Sequence, residues 1–365
     1  MPSNRAAWIP ARNAPLEVGP APITAPGPDQ VLIRNQAIAV NPLEWIIQVA
    51  GRVAYTWLKY PFVLGADVAG EVVEVGSAVT RFRAGDRVLG LAVGTDKDAN
   101  SSAQGGFQQY TLLSERLTSP IPDSLSYVDA SVLPLGLSTA ASALFQADHL
   151  ALNHPGAHPA PTGETLLVWG GSTSVGSNAV QLAVAAGYDV VTTASPRNAG
   201  WLTDLGAGQV LDYRSPTVEA DLIGIFGTRK FAGALAVGPG SAAACVRIAA
   251  ASPGNRFVSM ATAPVTFENG FSPPRTAAGM VGGMVGLQLS ARRRGVRIRF
   301  VIGSDLKKNE VADAIFRDFL PDALAEGRYR ALPQASVVGS SLADLQAALD
   351  LQRKGVSATK LVVTL

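Results

Sequence analysis

Residues 165–301 predict an α/β domain, a parallel sheet with helices on both faces, and the residues before 127 predict a separate β-rich domain. Two observations carry this. Apolar strand-like runs at 165–169, 189–193, 209–211, 233–237, 256–260 and 296–301 alternate with helix-like runs at 174–186, 198–205, 218–226 and 241–251. Such alternation buries one face of each helix on strands that run parallel. Upstream, short strands are separated by turn residues. A run at 31–40 is closed by Asn41-Pro42, and a valine-rich run at 68–75 follows. Gly85-Asp86 precedes a strand at 87–90, and Gly105-Gly106 precedes one at 107–112. This spacing suits a small barrel or sandwich. An alanine- and leucine-rich run at 128–147 reads as helix. The chain closes on an amphipathic helix at 341–354 and a strand at 360–365.

With 365 residues there is room for about two domains. The apolar share of 47% and a net charge of +2 suit a packed globular protein and give no strong basic field for nucleic acid. Cys245 is the single cysteine, so no intrachain disulfide can form and a cytoplasmic location is expected. The N-terminus lacks a signal peptide's apolar core. No run reaches the roughly 18 apolar residues of a membrane span, and the glycine-rich run at 277–289 is too short.

The sharpest local signal is Leu166-Leu167-Val168-Trp169 running into Gly170, Gly171, Ser172, Thr173, Ser174, Val175 and Gly176. An apolar strand enters a turn of small residues and then a helix. Small residues let a pyrophosphate approach the backbone, and the helix's first N–H groups and dipole hold its charge. Gly187 is placed to cap the end of that helix. The spacing departs from G-x-G-x-x-G, and an ordinary tight strand–helix turn would read much the same. In a βαβ unit an acid about 20 residues past the glycines selects NAD through the ribose 2′-hydroxyl. Here the second strand ends in Ala194-Ser195-Pro196-Arg197-Asn198, with no acid. A hydroxyl and a guanidinium suit a 2′-phosphate, hence NADPH, although an arginine capping a surface turn would look the same.

With these landmarks the chain resembles the medium-chain dehydrogenase/reductase superfamily over nearly its whole length. It is similar to the zinc-free quinone oxidoreductase branch, and more narrowly to CipB-type oxidoreductases and trans-acting enoyl reductases. The matching segments are Asn41-Pro42, residues 65–70 (GADVAG), 85–88 (GDRV), 105–107 (GGF), 135–140 (LGLSTA), the 170–176 loop and 360–363 (KLVV). The resemblance implies a GroES-like β-barrel catalytic domain at 1–128, a Rossmann doubly wound NADPH-binding domain at 129–303, and completion of the catalytic domain by 304–365. It implies pyrophosphate contacts from Ser172–Val175. Ser195, Arg197, Asn198 and Tyr213 would lie about the 2′-phosphate. Val237, Gly238, Ser259, Met260 and Ala261 would lie along the nicotinamide. Asn41 and Thr139 would approach its ribose or ring, and Val356 and Ser357 would close over the cofactor. The sequence departs from the family where Thr173-Ser174 replaces a glycine pair and Leu235 stands near a usual aspartate. Trp45-Ile46 replaces a usual tyrosine, for which Tyr55 is the substitute donor.

The zinc enzymes of the superfamily carry Gly-His-Glu where this chain has Gly65-Ala66-Asp67, which leaves Asp67 for packing or a buried hydrogen bond. One cysteine cannot build a four-cysteine site. His149, His154 and His158 fall in a proline-rich segment that reads as an exposed loop rather than a metal site. Arg292, Arg293, Arg294, Arg297 and Arg299 form the densest basic run. It reads as a solvated turn and strand edge, or more sharply as a patch for an acidic carrier or a coenzyme A phosphate. The strand at 296–301 could pair with its copy in a homodimer.

The expected activity is hydride transfer from NADPH to a quinone or to the activated C=C of an enone or enoyl substrate, with Tyr55, Asn41 and Thr139 as catalytic candidates. A narrower form is a trans-acting enoyl reductase of a polyketide-type pathway, with residues 277–289 lining an acyl tunnel and an acyl carrier as partner. A second class is a non-catalytic, crystallin-like NADPH-binding protein. Turnover of any quinone or enone separates the two. Small-molecule substrates are expected, and neither nucleic acid nor membrane. Elemental analysis of the purified chain should find no stoichiometric zinc; one tightly held zinc per chain, required for turnover, would contradict the reading.

Overall fold

The computed structural model describes residues 3–263 and 273–365. Its strands are β1 (Asn4–Ile9), β2 (Glu17–Ala21), β3 (Gln30–Ala39), β4 (Phe62–Val63), β5 (Asp67–Val75), β6 (Arg87–Leu91), β7 (Tyr110–Ser114), β8 (Thr118–Pro120), β9 (Glu164–Trp169), β10 (Asp189–Ala194), β11 (Gln209–Asp212), β12 (Lys230–Ala236), β13 (Phe257–Met260), β14 (Arg297–Phe300), β15 (Gln334–Gly339) and β16 (Thr359–Thr364). Its helices are α1 (Pro42–Ala50), α2 (Tyr127–Ala130), α3 (Pro134–Phe145), α4 (Ser174–Ala185), α5 (Ala199–Asp204), α6 (Val218–Phe226), α7 (Ser241–Ala251), α8 (Pro273–Arg293), α9 (Leu320–Ala325) and α10 (Leu345–Arg353).

The chain divides into two compact units, Met1–Leu135 with Phe316–Leu365, and Gly136–Ile315. Residues 129–135 thus group with the first unit and 304–315 with the second. The first unit holds a small sheet in the order β2-β1-β4. It also holds a larger one in the order β15-β16-β3-β5-β6-β8, with β7 also on β3. The C-terminal strand β16 pairs with β3, Val363 opposite Ile38. The chain end therefore completes a sheet that its beginning started. The buried Asn35 sits where the β3–β5 register shifts, and its amide donates to the Gln108 carbonyl at 2.7 Å and the Thr111 hydroxyl at 2.8 Å. The amide nitrogen thus replaces ladder bonds that the bulge interrupts, while Asn35 Oδ1 is buried without a partner. Ile38, Leu64, Phe107 and Leu361 belong to the core of this unit.

In the second unit the six strands are parallel, in the order β11-β10-β9-β12-β13-β14. The order reverses between β9 and β12. In open α/β sheets the crevice beyond the carboxyl ends of strands at such a switch point is where ligands bind. Gly187, with φ +84°, ends α4 in the left-handed conformation, and the Tyr188 N–H reaches back to the Ala183 carbonyl at 3.0 Å. The core includes Phe226 and Phe231, packed edge to face at 4.8 Å between centroids.

The expected helix at 128–147 is two helices, α2 and α3. Pro134 starts the second, as suits a residue that has no N–H to donate inside a helix. By length and hydropathy the stretch Tyr127–Phe145 could cross a membrane, but most of it is buried within the protein. It is better read as core. Phe231→Ala, which deletes one ring of the aromatic pair, should destabilise the protein by about 3–5 kcal/mol in urea unfolding.

Candidate functional site

In the second unit the loop after β9 is tied down from three sides. The Gly170 N–H donates to the Thr193 hydroxyl at 3.1 Å, and the Gly171 N–H to the Thr193 carbonyl at 3.0 Å. The Val237 N–H donates to the Trp169 carbonyl at 3.0 Å. A Cβ at Gly176 would lie 2.1 Å from the Gly170 carbonyl oxygen, and one at Gly171 would lie 2.2 Å from Thr192 Oγ1. No side chain fits at either position without moving backbone or core.

Thr173 explains how the chain manages without the family's glycine pair. It is the N-cap of α4: its Oγ1 accepts from the Gly176 N–H at 3.0 Å and donates to the Gly170 carbonyl at 2.8 Å. The capping hydroxyl satisfies one first-turn N–H, and those of Ser174 and Val175 have no intrahelical acceptor. Ser172, Thr173, Ser174 and Val175 are all partly exposed. The loop therefore offers N–H groups and a helix dipole to an anion.

At the end of β10, Ser195 and Asn198 are buried and Arg197 is exposed. The Asn198 Nδ2 is buried without a partner, while its Oδ1 receives the Trp201 indole at 3.4 Å. The nearest strand-end carboxylate, Asp212, stands beside Ala194 in register and accepts the Arg214 N–H at 3.0 Å. Tyr213 is exposed, with the Arg214 guanidinium 5.2 Å from its ring centroid. The side chains at this strand end thus combine a guanidinium, an unpartnered amide and a hydroxyl, with the Asp212 carboxylate on the neighbouring strand.

Val237 and Gly238 follow β12, and the Gly238 N–H donates to the Thr262 hydroxyl at 2.8 Å. Ala261 is partly exposed beside them. Gly238, Thr262, Ala263, Gly282, Gly283 and Gly286 contribute to the lining of a cavity of about 330 Å³. The stretch expected to line a tunnel thus forms part of α8; the side chains of Ala277 and Ala278 lie outside the described residues. Ser259 and Met260 sit deeper than expected, and Met260 belongs to the core. The Ser259 hydroxyl donates to the Ala143 carbonyl at 3.1 Å and meets His149 Nδ1 at 3.1 Å. His149 corrects the loop reading of the three histidines. It is buried edge-on against Phe257, and burial lowers its pKa. Thr139 is buried against Gly303.

The first unit holds a buried charged cluster of Asn41, Glu44, Asp67 and Lys360. Asn41 is the N-cap of α1, and its N–H donates to Glu44 Oε2 at 2.7 Å. Its side-chain amide donates to Asp67 Oδ2 at 2.9 Å and Glu44 Oε1 at 3.3 Å, and its carbonyl accepts from Lys360. Lys360 Nζ lies 2.7 Å from Asp67 Oδ2. Asp67 Oδ1 takes the Leu135 N–H at 2.5 Å. The Ala66 N–H donates to Glu44 Oε1 at 3.1 Å. Both Asn41 amide hydrogens are thus committed inside the protein. Burial first, then the Asp67 charge, push the Glu44 carboxyl up to about 7 against the pull of Lys360.

Tyr55 is half-buried, edge-on to Trp57 at 5.4 Å, and burial with Asp96 and Glu44 nearby pushes its hydroxyl up to about 12. It is a neutral donor throughout the physiological range. Val356 and Ser357 are exposed just before β16. Cys245 is buried, which raises its thiol pKa and makes it inert. Among the described residues, no three His, Cys, Asp or Glu side chains converge as a metal site.

Residues 27–123 match the alcohol dehydrogenase GroES-like domain. The chain is 50% identical over 370 residues to Dehydrogenase pigH of Monascus ruber, covering all of both chains. It is 40% identical over 366 residues to the Zinc-binding alcohol dehydrogenase domain-containing protein cipB of Emericella nidulans, covering 100% of this chain and 98% of that one. It is 38% identical over 366 residues to Trans-enoyl reductase himH of Aspergillus japonicus, covering 99% and 97%. The solved structure of the quinone oxidoreductase from Coxiella burnetii shares the fold with a TM-score of 0.70 at 23% identity, covering all of both chains. The chain belongs to the medium-chain dehydrogenase/reductase family, whose members bind NAD(P), and it is an oxidoreductase of that family.

Glu44 and Lys360 went unread as members of the site. A glutamate three residues after an N-cap asparagine, and single charges inside the apolar runs at 66–70 and 360–363, were the available signals. The Glu44 carboxyl ionises near pH 4.5 when unfolded and near 7 when folded. Its stability contribution is therefore complete below the lower value and is lost as pH rises through the higher one. Relative to Glu44→Gln, the wild type should lose stability between about pH 4.5 and 7, by at most about 1.4 kcal/mol per unit of pKa separation. Parallel pH curves for the two proteins in urea unfolding would contradict this.

Proposed function

We propose that the chain is an NADPH-dependent, zinc-independent reductase that delivers hydride to a quinone or to the β-carbon of an enone or enoyl substrate. The observation that carries the cofactor choice is the end of β10. There Ser195, Arg197 and the unpartnered amide of Asn198 stand where an NAD-selecting acid would be. The first-turn N–H groups of α4 hold the pyrophosphate, with Ser172 and Thr173 shaping the loop around it. Val237, Gly238 and Ala261 present backbone toward the nicotinamide, while Ser259 and Met260 support them from the core. Tyr213 flanks the adenosine end, and Val356 and Ser357 close over the cofactor. NADPH supplies the hydride when bound.

Charge then develops on the substrate oxygen, and a hydrogen-bond donor has to hold it. Tyr55 is assigned that task because its hydroxyl stays protonated. Thr139 assists in positioning, and Asn41 acts through the Asp67–Lys360 cluster rather than by direct contact. Oxidising a simple alcohol would need a base or metal that lowers the hydroxyl pKa. Asp67, in the zinc enzymes' ligand segment, is instead paired with Lys360. Conjugate reduction makes a smaller demand, since an enolate is a weaker base than an alkoxide. The relative named as a trans-enoyl reductase favours the narrower reading of an enoyl thioester substrate. The glycine-lined cavity beside Gly238 suits an apolar chain.

The purified chain should oxidise NADPH with a quinone, enone or enoyl thioester and should not oxidise ethanol or benzyl alcohol with NADP. The reverse pattern would overturn the assignment. Arg197→Ala should weaken NADPH binding about tenfold to a hundredfold and leave NADH nearly unchanged. Equal loss for both would mean that Arg197 acts through folding. Tyr55→Phe should lower turnover about 10–100-fold without abolishing it.

A further inference from the structure

Tyr55 stands in the loop that joins α1 to β4. The loop opens with a short helical turn, Gly51–Val53, and continues as turns and bends to Phe62. Val53, Ala54 and Thr56, beside the tyrosine in sequence, are exposed. The backbone is held on both sides of it. The Tyr55 N–H donates to the Gly51 carbonyl at 2.9 Å, and the Leu58 N–H donates to the Tyr55 carbonyl at 3.1 Å, with Leu58 buried in the core. These bonds do not fix the ring, because it turns about its own side-chain torsions. Its placement depends on what it meets.

It meets Trp57. The two rings pack edge to face, 5.4 Å between centroids and 68° between planes, a geometry that aromatic quadrupoles favour. Trp57 is in turn held at two points by the loop between β6 and β7. Its indole N–H donates to the Thr95 carbonyl at 2.9 Å, and its backbone carbonyl accepts from the Asn100 side-chain amide at 3.1 Å. A phenylalanine would fill much of the same space, but it has no N–H to give Thr95.

The turn that receives Trp57 is itself closed. The Asn100 N–H donates to the Asp96 carbonyl at 2.7 Å, and Asn100 sits at φ +40°, a backbone region that asparagine tolerates better than most residues. The Ser101 N–H donates to the Gly94 carbonyl at 3.1 Å, and the Gly94 N–H to the Gln104 carbonyl at 2.9 Å. Residues 95–100 thus give Trp57 a support that is tied to its own loop. They also carry Asp96. Burial first, and then the charges of Asp96 and Glu44, push the Tyr55 hydroxyl up to about 12. The turn that holds Trp57 therefore also brings a charge that keeps the phenol protonated.

We propose that Trp57 is a positioning residue for the reaction: clasped to the 95–100 turn, it holds the Tyr55 hydroxyl where the substrate oxygen becomes charged. The inference rests on the assignment of Tyr55 as the donor to that oxygen. A donor stabilises a developing oxyanion only at hydrogen-bond distance from it, so a ring free to swing on a loop would lose most of its effect. Trp57 gives nothing to the substrate directly, since its N–H is spent on Thr95. Its effect on turnover passes through Tyr55.

The test is a double-mutant cycle on the full chain, with NADPH and cyclohexenone. Trp57→Phe keeps an aromatic edge against Tyr55 and loses the indole N–H. Asn100→Gly removes the other bond and still accepts the left-handed backbone. Each should lower kcat about threefold or more, and Trp57→Ala about 10–100-fold, with KM for NADPH unchanged. Combined with Tyr55→Phe, the same changes should cost less than about twofold further. Fluorine NMR of protein carrying fluorotyrosine gives a readout without turnover. The Tyr55 line, identified by its absence in Tyr55→Phe, should move in both Trp57 variants. Trp57→Phe and Asn100→Gly carry the test if circular dichroism shows Trp57→Ala unfolded. Equal losses with and without the Tyr55 hydroxyl would overturn the proposal and leave Trp57 a packing residue. So would a Tyr55 line that ignores both Trp57 variants. Wild-type turnover in Tyr55→Phe alone would instead refute the donor assignment, and the proposal would fall with it.

Discussion

The ion pair between Lys360 and Asp67 is the constraint on which the first unit is built. Both groups are buried, 2.7 Å apart, and each is also bonded to Asn41. Removing one partner of such a pair leaves an uncompensated charge and costs about 3–5 kcal/mol. Side chains alternate along a strand, so slipping β16 by one residue would put an apolar side chain against Asp67 and Lys360 into the apolar core. The pair therefore sets where the C-terminal strand docks on β3. Through Asp67 Oδ1 it also holds the start of α3 at Leu135, next to the point where the chain leaves this unit. A buried pair of this kind is weak evidence for stability, and its contribution here is to register and position.

The second unit depends on close approach rather than charge. Its strand order places the ends of β9 and β12 side by side, and Trp169, Val237, Gly170 and Thr193 lock the turn between them. Only then do the free N–H groups at the start of α4 point where a phosphate can reach them. Thr173 supplies by a hydroxyl the cap that a more flexible glycine turn would leave to solvent or ligand. The loop is therefore organised before any anion arrives, which reduces the ordering cost of binding.

The parallel sheet was legible because its strands are buried on both faces and so read as continuous apolar runs, as in Leu166–Val168. The strands at 4–9, 17–21 and 334–339 were not. Their burial does not alternate regularly along the strand, so no local period betrays them. Within the site, the loop and the end of β10 were visible because glycine spacing and a missing acid are local facts. The charged cluster was not, because Glu44 and Lys360 are 316 positions apart and meet only when β16 pairs with β3. His149 was misread for a similar reason, since its proline-rich surroundings signal a loop while its partner Ser259 lies on a strand far along the chain.

The reductase proposed for this chain would deliver hydride to the β-carbon of an enone and not to its carbonyl carbon. The most direct test is isotope tracing. NADPH deuterated at C4, in both the R and S forms, is reacted with a simple enone under single-turnover conditions, and the product is read by NMR. The account predicts deuterium on the β-carbon from one of the two forms. Deuterium on the carbinol carbon, or no transfer from either form, would contradict it.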